Sequence, residues 1–161
     1  MIRRADILAL ALLQTVVTFT TVARGTQSEV GEPRQVVVRN ADKWQTLWKG
    51  HGPQRAPLDD FSRAIVVGVF LGSRPTAGYD VAITAVTSQD GKTVVEYRES
   101  RPVPGRMVAQ VLTSPFHLVS IPAMQVDVAF RKIDPPRAAK FARAHSVSLK
   151  PIRASRLFAK G

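Results

Sequence analysis

A mainly β domain with one short helix near its N-terminus is what this 161-residue sequence predicts. Short β-branched runs recur between Gly- and Pro-bearing breaks. In Ile65–Ile83 an apolar run stops at Gly72, turns through Ser73–Gly78 and resumes as alternating Tyr79, Val81 and Ile83. Gln89-Asp90-Gly91-Lys92 adds a hairpin signal, because Asp-Gly adopts the φ > 0 turn that joins antiparallel strands. No long helix competes with the strands. A small antiparallel β-sandwich or a partly closed barrel therefore fits better than a layered α/β fold, and 45% hydrophobic content can build the core of a single domain.

Met1–Ala23 reads as an export signal: Arg3 and Arg4 precede the apolar stretches Ile7–Leu13 and Val16–Val22. Thr21-Val22-Ala23 offers a cleavage site, which would make Arg24 the mature terminus. A retained membrane anchor or a buried helix is the alternative for the same residues. Residues 24–34 are polar and contain Gly and Pro, as a linker would. Gln35–Arg39 then opens the domain as a Val-rich strand. Asn40 caps a helix over Ala41–Gly50, on which Trp44, Leu47 and Trp48 fall at i, i+3 and i+4 and share one core-facing stripe.

Further strands are expected at Ala64–Leu71, Tyr79–Ser88, Thr93–Arg98, Met107–Leu112, Phe116–Ile121 and Val126–Phe130. Arg101-Pro102-Val103-Pro104-Gly105 interrupts pairing, since proline cannot donate to a ladder. The domain so defined runs over 35–131, and 132–161 forms a basic tail expected to be disordered. From Arg131 to Gly161 nine Lys/Arg face the single Asp134, so most of the net charge of +11 sits at that end. Cysteine is absent, which excludes disulfides, a thiol nucleophile, Cys-based zinc sites and lipidation at an N-terminal Cys.

Several motifs in order resemble one family. They are Trp44-Gln45-Thr46-Leu47-Trp48, Asp60-Phe61, Val66–Gly72, Pro75-Thr76-Ala77-Gly78-Tyr79-Asp80-Val81-Ala82-Ile83 and Leu112-Thr113-Ser114-Pro115-Phe116-His117-Leu118-Val119. Over Val36–Phe130 the chain is similar to the C-terminal domain of the protease complex subunit PrcB family. The resemblance implies an exported or lipid-anchored accessory domain of a surface protease complex, without catalysis of its own. The family loop usually reads Thr-Gly-Gly-Tyr. Here Ala77 replaces the first glycine, and φ > 0 at that position would be strained.

No catalytic constellation appears. His51 and His117 are the histidines of the domain, and HExxH, GxSxG and phosphate-loop patterns are missing. Ser114 and His117 lack an obvious third group to orient them. Asp60 reads as a turn former beside a buried Phe61. The expectation is a non-enzyme with no cofactor and no metal. Its candidate partner-binding loop is Gly72–Asp80, with Arg74, Pro75, Thr76, Gly78, Tyr79 and Asp80 as contact residues, because loops on rigid strands carry recognition.

The function expected from these readings is an exported, periplasmic or secreted accessory module. Its partner would be a protein, plausibly an exported protease, met through this loop or an exposed strand edge. The alternative is an envelope protein that adheres weakly to anionic surfaces through its basic tail. A specific nucleic-acid partner is not expected for an exported chain. The sequence leaves the oligomeric state open.

Overall fold

A computed structural model describes residues 14–49, 56–57, 60–125 and 127–134. Eight strands and one helix follow in the order β1 (Thr15–Val16), β2 (Thr20–Gly25), β3 (Arg34–Val38), α1 (Ala41–Lys49), β4 (Ala64–Phe70), β5 (Asp80–Gln89), β6 (Lys92–Ser100), β7 (Phe116–Pro122) and β8 (Asp127–Lys132). They form two four-stranded sheets, ordered β1-β5-β6-β8 and β2-β7-β4-β3. All pairings are antiparallel except β6 with β8. The fold is thus a sandwich, and the barrel alternative is set aside.

Burial on both faces explains the uninterrupted apolar run of β4. Ile65, Val67, Val69 and Leu71 join Val81, Ile83, Val86, Val95, Val119 and Ile121 between the sheets. On the opposite face Val66, Phe70, Phe116 and Leu118 pack with Trp44 of α1. A strand covered on one side by a sheet and on the other by a helix has no solvent face to alternate toward. Gly68 of β4 is in register with Leu118 of β7. A Cβ there would stand 2.2 Å from Cδ2 of Leu118, so Leu118 occupies the space a side chain would need.

The helix follows its sequence cues. Asn40 Oδ1 accepts from Lys43 N at 2.9 Å, the expected N-cap bond. Trp44 is fully buried and its Nε1 donates to Pro57 O at 2.6 Å, while Leu47 and Trp48 are half-buried against the same cluster. Asp90 and Gly91 take φ of 50° and 73° at the β5–β6 hairpin.

Two expectations are corrected. The first is the boundary of the domain. Residues 15–25, assigned to leader and linker, supply two strands: Thr15 and Val16 pair with Ser88 and Thr87, and Thr20–Gly25 pairs with β7. Val17 is buried between the sheets. β-branched apolar residues such as those of Val16–Val22 suit a strand as well as an apolar leader, so composition could not separate the two. The supposed linker is also built in: Ser73 N donates to Gly31 O at 2.8 Å, and Ser114 N to Thr26 O at 2.8 Å.

The second correction concerns Met107–Leu112, which is not a strand. It is an irregular segment without a ladder neighbour, meeting the rest of the fold through the Arg74–Thr113 bridge and an Ala77 N to Ala109 O bond of 3.0 Å. Residues 1–13, His51 and the tail from 135 lie outside the described residues.

Candidate functional site

The β4–β5 connection leaves the sandwich at Gly72, whose φ is +72°. A Cβ there would fall 2.6 Å from Gly31 O, so the residue must be glycine on both conformational and steric grounds. The connection is then clamped from below. Arg74 N donates to Thr113 O at 2.7 Å, Thr113 N returns to Arg74 O at 2.9 Å, and Thr113 Oγ1 donates to Thr76 O at 3.0 Å. Gly78 absorbs the exit turn at φ +90°, packed toward Pro102. Ala77 is outside the left-handed region, so the exchange of the usual family glycine causes no strain.

The six expected contact residues do not act as one group. The Arg74 guanidinium lies over the Tyr79 ring at 5.8 Å from its centroid, and both border a cleft of about 340 Å³ with Ser73, Pro75, Glu99 and Arg101. Lys132 pairs with Glu99, leaving this cleft with positive character from the two arginines. Thr76 and Gly78 face the underlying 102–113 segment. Asp80 turns away, paired with Arg24.

The sequence reading missed the neighbour of this loop. Met107 is 100% exposed, and Val103, Val111 and Leu112 are 49–69% exposed, all on the irregular segment that clamps it. Isolated apolar side chains on a surface are ordinary, but here four fall on one short segment that adjoins the loop. The visible signal was the Pro102-Val103-Pro104-Gly105 break: it removes the segment from the sheet and leaves its apolar residues without a core to enter.

His117, weighed earlier as a base, is structural. It projects between the sheets, where Nδ1 accepts from Ile83 N at 2.8 Å and Nε2 meets Thr21 Oγ1 at 3.0 Å. With Nδ1 as acceptor, the assigned tautomer carries its proton on Nε2 and donates it to Thr21. Burial, then the Arg24 charge, push its pKa down to about 4, with Asp80 opposing. Ser114 Oγ is occupied elsewhere, with Val30 O at 2.7 Å and Ser28 Oγ at 3.0 Å. Asp60 forms its turn by accepting from the Ser62 hydroxyl and amide, bonds that hold its carboxyl below the usual range. Among the described residues no group of three or more His, Asp or Glu is placed to hold a metal ion, and no helix is long and apolar enough to cross a membrane.

The molecule is thus a small helix-backed sandwich that presents a clamped loop and an exposed apolar segment. Among known families, the PrcB C-terminal family model matches residues 65–122, from Ile65 in β4 to Pro122 at the end of β7. The resemblance noted in the motifs is thereby shown for the stretch that contains the loop and its clamp. No curated protein and no solved structure matches the chain.

Proposed function

We propose that this protein is an exported, non-catalytic accessory module that binds a protein partner, plausibly a secreted protease, through the Arg74–Tyr79 cleft and the adjoining Val103–Leu112 segment. The observation that carries this reading is the full exposure of Met107 on a segment hydrogen-bonded to the loop. A solvated apolar side chain held on a fixed backbone gains about 25 cal/mol per Å² when a partner covers it, with little further ordering cost. The family match supports association with a protease complex. Export rests on the Arg-flanked apolar N-terminus, read together with retention of Thr15–Gly25, because those residues belong to the sheets.

Affinity capture from the native envelope tests the reading, with the full chain as bait beside Met107→Asp, Arg74→Ala and a form lacking residues 135–161. The expected result is retention of one protein by the parent and the shortened form, and its loss with Met107→Asp at unchanged melting temperature. Capture that survives both surface substitutions and vanishes with the tail would favour electrostatic adhesion instead.

A further inference from the structure

β3 lies at one margin of its sheet, bonded to β4 alone, so alternate residues turn their N–H and C=O groups outward. Such margins are normally blunted against pairing with other chains. The other three are. β1 ends after two residues, β2 is bulged between Thr21 and Ala23, and β8 ends in Arg131 and Lys132. β3 is the least blunted: Arg34 to Val38 runs in unbroken register against Phe70 to Val66, its charge stands only at its first residue, and its second half is Val36-Val37-Val38 without proline or bulge.

Beside that margin the structure opens a groove of about 840 Å³ between β3, the 29–32 segment and the first turns of α1. Val36, Val38 and Leu47 supply its apolar floor, and Glu29, Glu32 and Asp42 its acidic side. None of these three carboxylates is in an ion pair among the described residues. Arg34, one of the two basic groups at the groove, lies over the Phe70 ring at 5.5 Å, leaving Lys43 as the other.

We propose that β3 takes up an extended, lysine- or arginine-bearing segment of a protein partner as a fifth strand. Its outward backbone groups would pair with β3, its apolar side chains would enter the groove, and its cations would meet Glu29 and Glu32. The inference rests on the partner-binding reading above, but on a surface separate from the Met107 face. A second copy of this chain would bring the same acidic side with it, so it fits less well than a basic segment.

The test uses the full chain and a fluorescein-labelled heptapeptide alternating valine and lysine, beside its valine–glutamate counterpart. The basic peptide is expected to bind, with hydrogen exchange of β3 amides slowed on addition. Glu29→Lys/Glu32→Lys, on exposed loop positions, is expected to weaken binding at least tenfold at unchanged melting temperature. Equal binding of the acidic peptide, unchanged affinity of the double variant, or protection at β1, β2 or β8 in place of β3 would each overturn the proposal. So would slow exchange, in the free protein, of the outward-facing β3 amides that are not bonded to β4: protection independent of concentration would assign the margin to the chain's own 135–161 segment, and protection rising with concentration to a second copy. A partner still captured through Met107 while the basic peptide fails would sink this inference alone. Loss of all capture would sink the accessory-module reading.

Discussion

Removal of residues 1–23, the form that cleavage after Ala23 would leave, is expected to destabilise the domain severely. The deletion strips β1, most of β2 and Val17 from the sandwich. Burying a valine contributes about 1.5–3 kcal/mol. Loss of Thr21 also leaves the His117 Nε2 proton without its acceptor, at about 1–3 kcal/mol for a buried polar group. The two together give at least about 2.5 kcal/mol, before counting the ladder between β2 and β7, against a total of ~5–15 kcal/mol for an ordinary domain. At ~2–4 °C per kcal/mol, the melting temperature should fall by about 5–10 °C or more. Calorimetry of the full chain beside the form beginning at Arg24 measures it. Melting within 2 °C of each other, a margin set by about 1 kcal/mol, would refute the role assigned to Thr15–Gly25 and restore Ala23 as the cleavage site.

Acid should weaken the fold through His117. Its folded pKa lies near 4, below the ordinary 6.5, so the stabilisation is complete above about pH 6.5 and drains away as pH falls toward 4. Solvent screening brings the ceiling of about 3 kcal/mol down to about 2. Melting followed from pH 7 to 4.5 should show a slope that His117→Gln flattens; parallel slopes would contradict it. Gly68→Ala should cost about 1–3 kcal/mol by driving Leu118 from its site. Gly68→Ala/Leu118→Val should then melt above the value expected from adding the two single changes, whereas strict additivity in calorimetry would show that the two positions do not compete for space. Trp44→Ala should lower stability by about 3–5 kcal/mol in chemical denaturation, and Trp48→Ala, only half-buried, by clearly less. Equal losses would place both rings in the core.

Local chemistry made much of this architecture readable. Asp90-Gly91 can hardly do anything other than close a hairpin, and Asn40 with the Trp44 stripe fixes a helix and its buried face. What escaped were features set by neighbours remote in sequence. Val16–Val22 has strand and leader character at once, and only Ser88 and Ser120, across the fold, decide between them. Met107–Leu112 has the composition of a strand, yet it pairs with neither sheet. The loop at Gly72–Asp80 was legible because glycine and proline mark it, whereas the exposure of Met107 depends on where its segment comes to rest. Gly68 looks like a blemish in an apolar run until Leu118 is seen to fill its place.

The pairing of β2 with β7 has a consequence in time. Thr20 and Ser120 are partners, 100 residues apart along the chain. Synthesis at ~5–20 residues per second therefore separates their appearance by about 5–20 s. During that interval β2 has nothing to zip onto, while the β5–β6 hairpin, closed by two residues, can form in microseconds. Completion of the sandwich waits for its latest pieces, and a nascent chain in this condition stays pliable until nearly all of it has emerged.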